Sequence, residues 1–243
     1  MFMKSPFKKT KRFITIVLIV IIAIAAYFIH DGYELYKEVI DEKSIEQKVS
    51  DIKKDENYVE IDEISQYLKD SIVSIEDRRF YEHFGIDLYS IGRAVVGNFK
   101  KQELSSGGST ITQQLAKNMY FSQEKKITRK IAEIFVALDL EEEYEKDEIL
   151  ELYLNIIYFG DGYYGIKEAT NGYLNKEPSE LTLYEATLLA GIPNAPSVYA
   201  LSNNTKLTYE RQKIVLRALL DTEKITKDEY NELLKEIEDM ENK

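Results

Sequence analysis

The first strong pattern along the chain is not periodic at all. Phe13 to Ile29 (FITIVLIVIIAIAAYFI) is uncharged and almost wholly apolar. A run of this kind is at the short end of the ~17–25 residues a spanning helix needs. Residues 30–60 are charged and mixed, and read as a partly helical juxtamembrane stalk. Helical periodicity then begins, with Ile61, Ile64, Leu68, Ile72 and Ile75 on one face, running into Glu76-Asp77. Leu88, Ile91, Val95, Val96 and Phe99 give a second apolar stripe within 87–99. Polar residues 100–106 read as a loop. Gly107-Gly108 opens a short helix from Ser109, on which Ile111, Leu115 and Met119 stack. Further helices are predicted over about 128–144, 146–157, 180–190, 209–220 and 227–240, with Gly160, Gly162 and Gly165 marking a turn. Strand alternation is nearly absent, so the class is mainly α. The domains predicted are a basic tail (1–12), a transmembrane anchor (13–29), the stalk (30–60) and a catalytic domain with C-terminal helices (61–243).

Charge orients this arrangement. Lys4, Lys8, Lys9, Lys11 and Arg12 precede the apolar run, which predicts a cytoplasmic N-terminus and the bulk of the chain outside. No clear small-residue cleavage site follows the run, which favours an anchor over a removed signal peptide. The whole chain carries a net charge of −11, and without those five cations the remainder stands at −16. Such a domain is a poor partner for nucleic acid, and any anion site in it must be a local basic cluster. There is no Cys, which excludes disulfides and thiolate metal sites and fits export. His30 and His83 are too few for a histidine metal centre.

Three segments carry candidate chemistry. In SIEDRRFYEHFGID (74–87), Glu76 is either a helix-end carboxylate paired with Arg78 or Arg79, or a proton acceptor. In GGSTITQQLAKN (107–118), Thr110, Gln114 and Lys117 share a polar helical face. That helix start is either an ordinary cap on Ser109 or Thr110, or a set of free N–H groups suited to phosphate. In KKITRKIAE (125–133), Lys130 and Glu133 share a face beside Arg129, as a surface ion pair or as a carboxylate among phosphate-binding cations. The acidic run 141–145 reads as a solvated face. Three S-x-x-K matches, at 5–8, 50–53 and 122–125, have no room for a transpeptidase around them and are chance.

Together these segments resemble the peptidoglycan glycosyltransferase family, the transglycosylase module also found in class A penicillin-binding proteins. EDRRFYEHFGID, GGSTITQQLAKN, RKIAE, KDEILELYLNIIYFGDGYYGI and EATLLAGIPNAPSVY occur in the family's order, over roughly Ile61 to Leu220. Lys125 stands where the family often has Arg, and Ala200-Leu201 where it usually has Asn-Pro. The resemblance implies a lysozyme-like α-helical core with a smaller membrane-facing lobe. It implies Glu76 as general base and Glu133 as second essential carboxylate. It implies substrate binding by Asp77, Phe80, His83, Ser109, Thr110, Gln113, Gln114, Lys117, Asn118, Lys125, Arg129 and Lys130. Glu151, Tyr153 and Asn155 match a largely structural motif, and Gly160 and Gly165 its turn. The implied reaction is polymerisation of lipid II into β-1,4-linked glycan at the outer face of the cell membrane, sensitive to moenomycin. The implied cofactor is a divalent cation, Mg or Mn, with Glu133 either its ligand or the group that orients the cations. Expected partners are lipid II, the lipid-linked glycan chain, the membrane, and penicillin-binding proteins or other wall-synthesis proteins. Because the chain ends at Lys243, no penicillin-binding domain is expected. A lysozyme-like hydrolase also uses paired carboxylates, and an inactive scaffold is the alternative outside enzymes.

Overall fold

The computed structural model describes residues 6–93, 108–121, 126–203 and 205–241. Every regular element among them is helical; the extended contacts are two isolated bridges, Phe84 with Ile86 and Tyr158 with Tyr164. Helix α1 runs unbroken over Pro6–Glu42. It is the one described helix long and apolar enough to cross a membrane. Phe13, Ile16, Leu18, Ile21 and Ile24 are all exposed along it, which suits lipid and not water. The N-terminal helix marks the chain as membrane-anchored.

The part of the chain read as a stalk is structured. α1 continues past the apolar run, and α2 (Ile45–Lys53) follows, capped by Ser44 with a reciprocal bond from Gln47. Ile45, Val49 and Val59 are buried in the main core. The folded unit therefore begins before Ile61, because these three side chains are part of what closes it. The periodic stretch 61–75 is also not one helix. A 3₁₀ turn (Ile61–Glu63) gives way to α3 (Gln66–Glu76). The break falls at Ser65, whose N–H bonds the Pro178 carbonyl and whose hydroxyl bonds that of Leu181.

α4 (Ile111–Tyr120), α5 (Ile127–Glu143) and α6 (Lys146–Ile156) pack together, with α1 along the outside of α5. α7 (Gly165–Leu174) follows the glycine turn. α3 packs on a second group, α8 (Leu183–Gly191) and α10 (Thr205–Asp221), joined by the short α9 (Pro196–Tyr199). α11 (Lys227–Glu241) closes a satellite cluster with Leu216, Leu219, Leu233 and Ile237. α6 is buried on nearly all sides, from Ile149 to Leu154. Its Glu151 accepts from the Ile61 N–H at 2.7 Å and from the Tyr58 hydroxyl. Asn155 bonds both the N–H and the carbonyl of Val59 at 2.8 Å. These two side chains strap the 58–61 segment to the centre of the molecule. Gly165 sits at φ +76, where a Cβ would lie 2.4 Å from the Asn155 carbonyl oxygen.

Candidate active site

Glu76 ends α3 at the seam between the two helix groups. Its Oε2 accepts from Gln114 Nε2 at 2.8 Å, and Oε1 faces Arg211 Nη2 at 3.5 Å. Gln114 comes from α4 and is itself held by the Tyr153 hydroxyl at 3.3 Å. Arg211 comes from α10, donates from Nε to the Gly191 carbonyl and lies 6.0 Å from the Tyr199 ring. Burial pushes the Arg211 pKa down, while the Glu76 carboxylate pushes it back up. Neither neighbour in sequence takes the carboxylate. Arg78 pairs with Asp221, and Arg79 with Glu82 and Asp87. Glu76 is thus fixed by partners from two other helices, as a preorganised proton acceptor needs to be.

The second carboxylate is the centre of a cation cluster. Glu133, on α5, is 1% exposed. Lys130 Nζ lies 2.9 Å from Glu133 Oε2 and Arg129 Nε lies 3.2 Å from Oε1. Lys130 also donates to Ser109 Oγ at 2.8 Å, tying α5 to the start of α4. This is no surface ion pair, because its carboxylate has almost no contact with solvent. Lys117, on α4, stands in the field of both groups. Burial pushes its pKa down, Glu133 pushes it up, Arg129 and Lys130 push it down, and Glu76 pushes it up. Two cations of α5 therefore grip one buried carboxylate, and Lys117 on α4 feels the charges of that group and of Glu76.

The sequence model of the transglycosylase family matches residues 41–220. The chain belongs to the transglycosylase family. Penicillin-binding protein 1A of Neisseria flavescens is 44% identical to it over 179 residues, covering 74% of this chain and 22% of that protein. Penicillin-binding protein 1F of Bacillus subtilis is 41% identical over 231 residues, covering 88% and 32% respectively. The chain thus spans about a fifth to a third of the length of these relatives. A crystal structure of penicillin-binding protein 1A from Haemophilus influenzae is 25% identical, with a TM-score of 0.42, covering 74% of this chain and 17% of that one.

The other expected residues of this chain fall into a supporting layer. Asp77 is buried and accepts from His83 Nε2 at 2.9 Å and from the Ile111 N–H at 3.0 Å. Thr110 caps α4, accepting from the Gln113 N–H and donating to the Gly85 carbonyl, while Gln113 returns a bond to the Thr110 N–H. The start of α4 is therefore Thr110, not Ser109. Of its leading N–H groups, that of Ile111 is taken up by Asp77 and that of Gln113 by Thr110. Phe80 has no exposed surface and lies under Lys146, whose Nζ is 4.5 Å from the ring centroid. Asn118 is exposed one residue past Lys117. Lys125, the Ser122–Lys125 match and residues 94–99 of the second apolar stripe lie outside the described residues; 88–93 are helical. Within the acidic run, Glu141 turns inward, its side chain 3% exposed, accepting from Lys146 at 2.7 Å and from Thr112 at 2.5 Å.

Two features escaped the sequence. Arg211 lies 135 residues from Glu76, yet a signal for it existed. It falls on the same face of α10 as the buried Val215 and Ala218, and a charge on an apolar stripe asks for a buried partner. The Tyr153 hydroxyl, which steadies Gln114, was hidden in a structural motif. As for a metal, Glu133 is already engaged by two cations, and among the described residues no three His, Cys, Asp or Glu side chains converge. The donor set of the described residues does not fit a resident divalent ion.

Proposed function

We propose that this transglycosylase polymerises lipid II at the outer face of the cell membrane. The observation that carries the reading is the pairing of Glu76, held by Gln114 and Arg211, with the Lys117/Arg129/Lys130 cluster around Glu133. In this mechanism the free 4-hydroxyl of the acceptor sugar attacks the anomeric carbon of the lipid-linked donor chain. Glu76 takes the hydroxyl proton as the new C–O bond forms. The bond from the anomeric carbon to the pyrophosphate oxygen breaks, and undecaprenyl pyrophosphate leaves with the electron pair. Attack opposite the leaving group turns an α linkage into a β-1,4 bond. Charge grows on the pyrophosphate as this happens, and prepositioned cations stabilise that growth more than they stabilise the ground state. Glu133 orients Arg129 and Lys130 and lowers the mutual repulsion of three cations. Asp77, His83, Thr110 and Gln113 hold α4, and through it Gln114 and Lys117, in register with Glu76.

A glycan hydrolase would need the paired carboxylates but has no use for Lys117, Arg129 and Lys130. The experiment that separates the two gives the purified full chain lipid II and, separately, preformed glycan. Chain growth from the first supports the proposal, chain shortening of the second supports hydrolysis, and neither supports an inactive scaffold.

A further inference from the structure

Helix α1 does not stop where its apolar run stops. Beyond Ile29 it continues to Glu42 and lies along α5. Gly32 meets Ile131 and the Thr128 carbonyl. Tyr33 and Tyr36 hold the Phe135 ring at centroid distances of 5.2 and 5.5 Å. Tyr36 donates to Asp139 Oδ2 at 2.6 Å. Partners on α5 advance as positions on α1 advance, so the two helices run in the same direction. The contact is close because residue 32 is glycine: a Cβ there would lie 2.6 Å from Ile131 Cβ and Cγ2. Glycine inside a helix costs about 1 kcal/mol relative to alanine, a penalty that a loose tether would have no reason to carry.

These contacts set a height. At ~1.5 Å per residue, Gly32 stands roughly 4.5 Å beyond Ile29. Thr128 lies against it, so Arg129 and Lys130 stand about one helical turn, and Glu133 about two, above the end of the apolar run. With the helices parallel, the N-terminal end of α5 faces the membrane, bringing the positive end of its dipole to the same level.

We propose that the docked stretch 32–40 of α1 is a rigid spacer that holds the cation cluster of α5 at the depth of a phosphate carried on a membrane lipid, with Gly32 and Tyr36 as positioning residues. The proposal rests on the reading of that cluster as a pyrophosphate site. Its depth component can be tested without activity.

The test uses the full chain in phosphatidylglycerol vesicles. A Gly-Ser-Gly-Ser insertion between Ile29 and His30 leaves the α1–α5 contact intact and uncouples it from the span. The chain has no Trp, so Ile127→Trp, at a position 62% exposed at the start of α5, supplies a single indole. Lipids brominated near the headgroup end of their acyl chains should quench that indole in the parent. Quenching should fall about twofold or more after the insertion, because the interface is only a few Å deep. Lipid II turnover in the same vesicles should fall ~10-fold or more, as misplacement of a substrate by ångströms does. Turnover in detergent micelles, which impose no fixed depth, should stay within about twofold. Gly32→Leu, which undocks α1 instead of lengthening it, should give the same split between vesicle and micelle turnover. Equal quenching with and without the insertion overturns the spacer. Lower quenching with unchanged vesicle turnover overturns the positioning role. A parent without activity in either medium counts against the proposed function alone, and quenching still decides the depth.

Discussion

Arg211 and Lys117 differ in what they do for the carboxylates beside them. Arg211 is buried with Glu76, and removing one member of a buried pair typically costs ~3–5 kcal/mol. The shared bond here is long at 3.5 Å, so Arg211→Met should fall at or below the lower end of that range by denaturant melting, with turnover reduced as Glu76 loses its orientation. Lys117 should behave in the opposite way. Burial lowers its pKa from the ordinary 10.5. The unfolded chain then holds the proton to higher pH than the folded one, so this lysine makes stability rise as pH climbs through the window between the two values. Catalysis runs the other way, since the ammonium is lost through the lowered pKa. Lys117→Met should leave the melting temperature unchanged or raised, cut turnover ~10²-fold or more, and weaken moenomycin binding by isothermal titration. Equal turnover and equal moenomycin affinity would remove Lys117 from the site. The sequence could offer Glu76, Glu133 and the three cations as candidates because their types and spacing are local facts. It could mark Arg211 as a charge on an apolar face but not name Glu76 as its partner, because the two lie 135 residues apart.

At the scale of elements, the site depends on where α4 is held. Asp77 does this through the Ile111 N–H and His83. A hydrogen bond to a charged group is worth ~1.5–3 kcal/mol, so Asp77→Ala should cost about 3 kcal/mol. It should also lower turnover although Asp77 need not touch substrate, and Asp77→Asn should restore part of both. Gly165→Ala forces a Cβ to within 2.4 Å of a backbone oxygen at positive φ. It should cost ~2 kcal/mol or more, a fall in melting temperature of about 4–8 °C, with activity preserved in the molecules that remain folded. Helices with strong periodicity, α5, α6 and α11, match their predicted spans to within a residue, while α10 starts four residues before its predicted span. Those read as mixed or polar, from 30 to 60, do not match. Their burial comes from single apolar residues such as Val49 and Val59 meeting α6 and its neighbours, which no local pattern reveals. The inward turn of Glu141 has the same cause: Lys146 and Thr112 answer its charge from other parts of the chain.

For the molecule as a whole, an acidic chain carries a basic-flanked apolar helix at its N-terminus, and that helix continues along α5, which bears Arg129, Lys130 and Glu133. The positive-inside pattern predicts that protease added to intact protoplasts removes the domain; full protection would reverse the orientation. The central claim is that Glu76 is the base for glycan growth. Its most direct test is the purified full chain incubated with lipid II in vesicles, with products sized on a gel, beside Glu76→Gln. The amide keeps the shape of the side chain and is a very weak base. The account predicts long glycan from the parent, a loss of ~10²–10⁴-fold in the variant, and superimposable melting curves. Polymer formed at the parent's rate by a folded Glu76→Gln protein would contradict it.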